Sequence, residues 1–117
     1  MRLLKSSGKP RKTRDKSRDI RDNKRASFLV RRVRGESMYP VLEEGRLIVV
    51  RSKADYQCGD IIVFEHDGME KVKRVAGVEG NFCFVLGDNP SLSIDSRSFG
   101  YIGKASVLGK VVWPRGL

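Results

Sequence analysis

A mainly β domain behind a disordered, basic N-terminal arm is the fold class that the sequence predicts. From Ser27 onward the apolar residues fall in short or alternating runs broken by Gly, Asp and Pro, the pattern of strands. No helix-length window holds a clean 3.6-residue period, which leaves room for only a turn or so of helix after Met38. The charge is unevenly divided. Of a formal net charge of +10 over 117 residues, residues 1–34 contribute 14 Lys/Arg and three acids, whereas residues 35–117 hold 10 Lys/Arg against 11 acids. The basicity belongs to the arm, and the chain divides into residues 1–26 and one domain over residues 27–117.

The arm comes first. Residues 1–26 contain no aromatics and almost no apolar side chains, too few to offset the entropy of ordering, with at most a transient helix around Arg14–Arg25. Either this arm adheres to an anionic membrane surface or to nucleic acid, or it is a solvated tail. Without aromatics to stack on bases, sequence-specific nucleic-acid recognition is the weakest of these readings. Strands are expected at Phe28–Arg34, Leu47–Arg51, Asp60–Glu65, Glu70–Ala76, Phe82–Leu86 and Val107–Trp113. His66-Asp67-Gly68 reads as a hairpin turn, because Asp-Gly accepts the positive φ angles such a turn demands, and Gly77–Asn81 and Gly87–Ser91 read as loops. Cys58 and Cys83 could form one bridge at most. The start of the chain lacks the apolar region of a secretory signal, so both are expected to be reduced, half-buried strand residues. No run approaches the roughly 18–20 consecutive apolar residues of a membrane-spanning helix, and the expected location is cytoplasmic or peripheral at a membrane. A disulfide scaffold and a collagen-like chain are excluded by composition.

Three loops carry chemistry. In Gly35-Glu36-Ser37-Met38-Tyr39-Pro40, directly after a strand, a Ser in a tight turn can project its hydroxyl while backbone N–H groups face a developing oxyanion. A nucleophilic Ser needs a base, and the single His, His66, sits in the expected exposed turn. Lys is the alternative, provided that burial lowers its pKa from about 10.4 toward 7–8. Lys73 is the candidate, set in Val72-Lys73-Arg74-Val75-Ala76, a strand otherwise apolar enough to be core. Lys71 shares its face but lies nearer the turn. The bland alternative for Lys73 is a snorkelling surface Lys. The third loop, Gly87 to Gly100, holds more hydrogen-bonding capacity than a connection needs. Within it Asp95 and Arg97 could pair with each other or with Arg74, holding the loop against the Lys73 strand.

Taken in order, these segments resemble the type I signal peptidase (leader peptidase) family of Ser–Lys proteases. The resemblance spans roughly residues 28–113 and rests on Gly35-x-Ser37-Met38-x-Pro40-x-Leu42, Gly59-Asp60-Ile61-Ile62-Val63-Phe64, Lys73-Arg74-Val75, and Gly87-Asp88-Asn89 followed by Ser93-x-Asp95-Ser96-Arg97-x-Phe99-Gly100. It implies a mainly β fold, a twisted sheet or partly closed barrel of the signal peptidase and LexA-like type. By the same resemblance Ser37 is the nucleophile and Lys73 its general base, and Ser93 orients the Lys amine. Asp95, Arg97 and Arg74 form supporting ion pairs, and Asp88 and Asn89 shape the loop that packs on the site. The substrate is implied to be a precursor protein with an N-terminal leader, bound as an added strand beside Gly35, Met38 and Pro40. No metal or cofactor is implied.

The sequence also departs from that pattern. Gly35 stands where members with an extra oxyanion hydroxyl carry Ser, Gly45-Arg46 replaces the frequent Gly-Asp, and only 13 residues separate Lys73 from Gly87. Gly87-Asp88-Asn89-Pro90 and the lack of an evident membrane anchor also resemble the soluble maturation protease of nickel-type superoxide dismutase. The alternatives are a LexA-like self-cleaving regulator and a non-enzymatic nucleic-acid-binding module that uses the basic arm. Against the first, the dipeptides such a regulator cuts, Cys58-Gly59 and Ala76-Gly77, occur only downstream of Ser37. A Ser-x-x-Lys at Ser6–Lys9 falls in the arm and is set aside.

Overall fold

The computed structural model describes residues 27–117. The expected arm, with Ser6 and Lys9, lies outside the described residues. Among the described residues seven strands form one antiparallel sheet: β1 (Phe28–Arg32), β2 (Leu47–Ser52), β3 (Ile61–His66), β4 (Met69–Glu79), β5 (Phe82–Leu86), β6 (Ile102–Gly103) and β7 (Val107–Trp113). The sheet order is β1-β2-β7-β3-β4-β5-β6, so the end strands β1 and β6 are not joined and the sheet stays open. One four-residue helix, α1 (Ser96–Phe99), follows a 3-10 turn at Pro90–Leu92. No helix among the described residues is long and apolar enough to cross a membrane.

β3 explains how the molecule holds two small cores. Ile61 and Val63 point into a cluster with Val33, Met38, Leu42, Ile48, Val50 and Val111. Ile62 and Phe64, on the opposite face, join Val75, Cys83, Val85 and Ile102. A central strand buried on both faces reads as an unbroken apolar run, and Ile61-Ile62-Val63-Phe64 is such a run. The β3–β4 hairpin closes through Asp67 at φ 53° and Gly68 at φ 76°, the mirror-image turn that matches strand twist. Beyond it β4 runs farther than alternation suggests. Its pairing with β5 passes from Val75 to Gly77 with Ala76 extra, a bulge that resets the faces and continues the strand to Glu79.

The cysteines depart from expectation. Both are free, but Cys58 is exposed in the turn before β3, and Cys83 is fully buried in β5. The turn expected after Met38 is present as a single helical bond, the Leu42 N–H donating to the Met38 carbonyl at 2.9 Å.

Candidate active site

Ser37 and Lys73 come together from segments 36 residues apart, with Lys73 Nζ 2.9 Å from Ser37 Oγ. The end of β1 delivers the Ser37 turn. Gly35 stands at φ 77°, the Tyr39 N–H bonds the Glu36 carbonyl at 3.1 Å, and the Met38 side chain is fully buried in the first core. Lys73 projects from the middle of β4 and is only 5% exposed. Burial lowers its pKa from the ordinary lysine value. The Asp95 carboxylate pulls it back up, while the Lys71 and Arg97 charges lower it further.

The loop from Gly87 to Gly100 is fastened to the Ser37 turn by three bonds. The Asn89 N–H donates to the Ser37 carbonyl at 2.8 Å, Asn89 Nδ2 donates to the Glu36 carbonyl at 3.0 Å, and the Asp88 N–H reaches Met38 Sδ at 3.4 Å. Gly87 is required by close approach: a Cβ there would collide with the Ser93 side chain and lie 2.7 Å from the Ser37 carbonyl oxygen. Asp95, 1% exposed, organises the far end of the loop. It accepts from the Gly87 N–H at 2.9 Å, Ser93 Oγ at 2.7 Å, and Arg97 Nε and Nη2 at 2.9 and 3.0 Å, and it caps α1 through the Arg97 N–H at 3.2 Å. Burial by itself would raise the Asp95 pKa, but these donors outweigh it and hold the carboxyl well below the usual range.

Several expected roles change place. Ser93 does not bond the Lys73 amine; its hydroxyl donates to Asp95, two residues on, the local geometry short polar side chains favour. Arg74 does not pair with Asp95. It points to the opposite face of β4 from Lys73 and makes a two-point contact with Asp88, Nε to Oδ1 at 2.9 Å and Nη2 to Oδ2 at 2.7 Å. Its third donor bonds the Gly59 carbonyl at 2.7 Å. Asp88 and Asn89 lie against the Ser37 turn. The cleft beside Ser37 has a volume of about 320 Å³ and is lined by Arg31–Arg34 from the end of β1, Met69–Lys73 of β4, and Ile48 and Val63. Gly35, Met38 and Pro40 do not line it: Met38 is core, and Pro40 borders a separate hollow with Val41, Glu43 and Glu44.

Two features escaped the sequence. Ser96 is buried and its Oγ accepts from the Val85 N–H at 2.8 Å, tying the loop to β5. The Asp95-Ser96-Arg97 order, that of a helix start, was the available signal. Arg31 and Glu70 meet across the cleft from 39 residues apart, and nothing local announces such a pair.

A family model described as Peptidase S24-like matches residues 7–112. The chain belongs to that family. It is therefore a peptidase, and the buried Lys beside a Ser lies within the span the family model covers. Signal peptidase I from Bacillus caldolyticus is 30% identical over 142 aligned residues, covering 70% of this chain and 78% of that protein.

Proposed function

We propose that the chain is a Ser–Lys endopeptidase that removes an N-terminal signal or leader peptide from a precursor protein. The observation that carries the proposal is the 2.9 Å contact between Lys73 Nζ and Ser37 Oγ, made by a Lys whose pKa burial lowers. Likeness to a signal peptidase I supports the leader as substrate. Neutral Lys73 takes the Ser37 proton as Oγ attacks the scissile carbonyl, and the Ser37 N–H with its neighbours holds the oxyanion. Lys73 then protonates the leaving amine, giving an acyl-enzyme at Ser37. A water that has surrendered a proton to the same amine attacks the ester and frees the leader, and the proton returns to Ser37 Oγ. Asp95 acts one step back, by balancing the charge near Lys73 and fixing the loop that grips the Ser37 turn.

The test is cleavage of a leader-bearing precursor by the purified full chain, read by mass spectrometry. Ser37→Ala and Lys73→Ala should each abolish the cut while circular dichroism stays native. A folded variant of either kind that cuts at the parental rate removes the dyad. Ser37-dependent fragmentation of the chain alone, with the precursor left whole, would replace leader removal with self-cleavage.

A further inference from the structure

A second lysine stands beside Lys73, and the proposed chemistry gives it no part. Lys71, two residues back on β4, lies on the same face of the strand and lines the same cleft. The partners across β3 agree: Lys73 stands opposite Ile62 and Lys71 opposite Phe64, and both partners belong to the second core. Two positions along a strand separate the two residues by about 7 Å, less than the screening length of physiological salt.

The other charges around Lys73 are balanced or turned away. From the Gly87–Gly100 loop, Asp95 and Arg97 face it, but Arg97 Nε and Nη2 bond the Asp95 carboxylate at 2.9 and 3.0 Å, so at a distance they act largely as a neutral pair. The Ser37 turn brings the hydroxyl that meets the amine. β3 brings Ile62 and Phe64 on this face, with His66 at the hairpin end stacked on Phe99 and 3.4 Å from Asp67. β5 adds Val85 and the Cys83 thiol, with Tyr56 packed against them. Glu65 and Glu70 alternate to the opposite face, where Arg31 holds Glu70. Arg74 also points away, to Asp88. Lys71 enters no ion pair among the described residues, which leaves its charge unbalanced beside the amine.

We infer that Lys71 is a positioning residue for the proposed base: its ammonium, standing unbalanced beside Lys73, sets the pH at which Lys73 can take the Ser37 proton. The inference rests on the Ser–Lys reading above and adds a second cation to it. A neighbouring cation makes the charged form of a buried amine costlier and so favours the neutral, reactive form. Burial remains the larger cause of the lowered Lys73 pKa, the Asp95 carboxylate opposes it, and Lys71 reinforces it. At about 7 Å, with water at the cleft mouth, one unit charge moves the titration by roughly half a pH unit. Wherever the amine is mostly protonated, that is about threefold in the fraction able to act as a base.

The experiment follows the amine itself, through the pH titration of the Lys73 Cε signal in NMR spectra of the full chain, with Lys73→Met to assign the signal. In parallel, kcat/KM for a leader-bearing precursor is measured over the same pH range. Lys71→Gln should raise the Lys73 midpoint by roughly half a unit and Lys71→Glu by roughly one unit, while Lys71→Arg should leave it nearly in place. The acid limb of kcat/KM should move with the midpoint, so the Lys71→Gln chain loses about threefold there and recovers as pH rises. A merely structural role would lower the rate equally at every pH. Midpoints that ignore both Lys71→Gln and Lys71→Glu, a shift of the same size in Lys71→Arg, or an acid limb that stays put while the midpoint moves each overturns the inference. Cleavage that still requires Ser37 and Lys73 would then leave the Ser–Lys reading intact. Midpoints that move as expected in a chain that cuts no precursor would keep the effect of Lys71 on Lys73 and remove the Ser–Lys reading.

Discussion

Replacing Asp95 with Ala should cost the fold far more than an ordinary surface ion pair would. The carboxylate is 1% exposed and accepts five hydrogen bonds. Its loss strands the buried Gly87 N–H, at about 1–3 kcal/mol for an unsatisfied buried donor. It also removes the cap of α1, about 1 kcal/mol, and the partner of the Ser93 hydroxyl, about 0.5–1 kcal/mol. Arg97 is 47% exposed and regains water when unpaired, so its ion pair adds little. The total is about 3 kcal/mol, a drop in Tm on the order of 15 °C for a domain of this size. The sign with pH follows from the depressed carboxyl. Its contribution is fully present above the unfolded-state value of about 4 and is lost as pH falls through the folded-state value, so parent and variant should converge on acidification. Differential scanning calorimetry at pH 7 and below about pH 3 reads both effects. Melting within about 2 °C of the parent at neutral pH, or a gap that ignores acid, would refute the account of Asp95 as the organiser of the loop. Asp95→Asn keeps the shape while removing the charge that raises the Lys73 pKa, so any activity it retains should begin at lower pH.

Three further outcomes are expected. Lys73→Met should abolish cleavage yet raise Tm at neutral pH, because a buried amine whose pKa is lowered disfavours the folded state below its unfolded value of about 10.4. The parent gains stability as pH rises between those two values, so the gap in Tm should close toward high pH, and a Met variant that melts lower at neutral pH contradicts the assignment. Gly87→Ala drives a methyl into the Ser93 side chain and the Ser37 carbonyl; it should lose most activity and about 1–3 kcal/mol of stability in urea melts, whereas parental turnover would mean the loop does not position Ser37. Deleting residues 1–26 should spare cleavage of a soluble peptide and abolish salt-sensitive binding to anionic vesicles in sedimentation assays, and a full chain that ignores such vesicles at low salt removes that role for the arm.

Much of the sheet was legible because alternation survives wherever one face is buried. β5 and β7 have the bounds that pattern gives. β6, at two residues, is too short to show any period, and β4 was cut short because the Ala76 bulge breaks the alternation that would have traced it. Ser37 and Lys73 were legible as motif positions, and their meeting is a product of the curled sheet. What sequence could not supply was the choice among polar partners. Arg74 follows Lys73 directly, so the two must point to opposite faces, and Asp88 rather than Asp95 lies on the Arg74 side. Ser93 had two candidate partners, and the nearer one along the chain holds it. The cleft walls were misplaced for a related reason: Met38 is motif and core at once, and burial leaves it nothing to offer a substrate.

Ser37 and Lys73 hang on different cores. Ser37 is carried by a turn whose Met38 anchors the first cluster, while Lys73 lies one turn of the pleat from Val75 in the second. Folding either half alone would leave the amine in water, where an ordinary lysine keeps its proton at neutral pH and cannot act as a base. Under the proposed Ser–Lys chemistry, a partly folded chain would be not a weakened protease but an inert one. The proposed chemistry therefore needs both cores in place at once. That proposed chemistry would then be confined to the native state without a separate inhibitor.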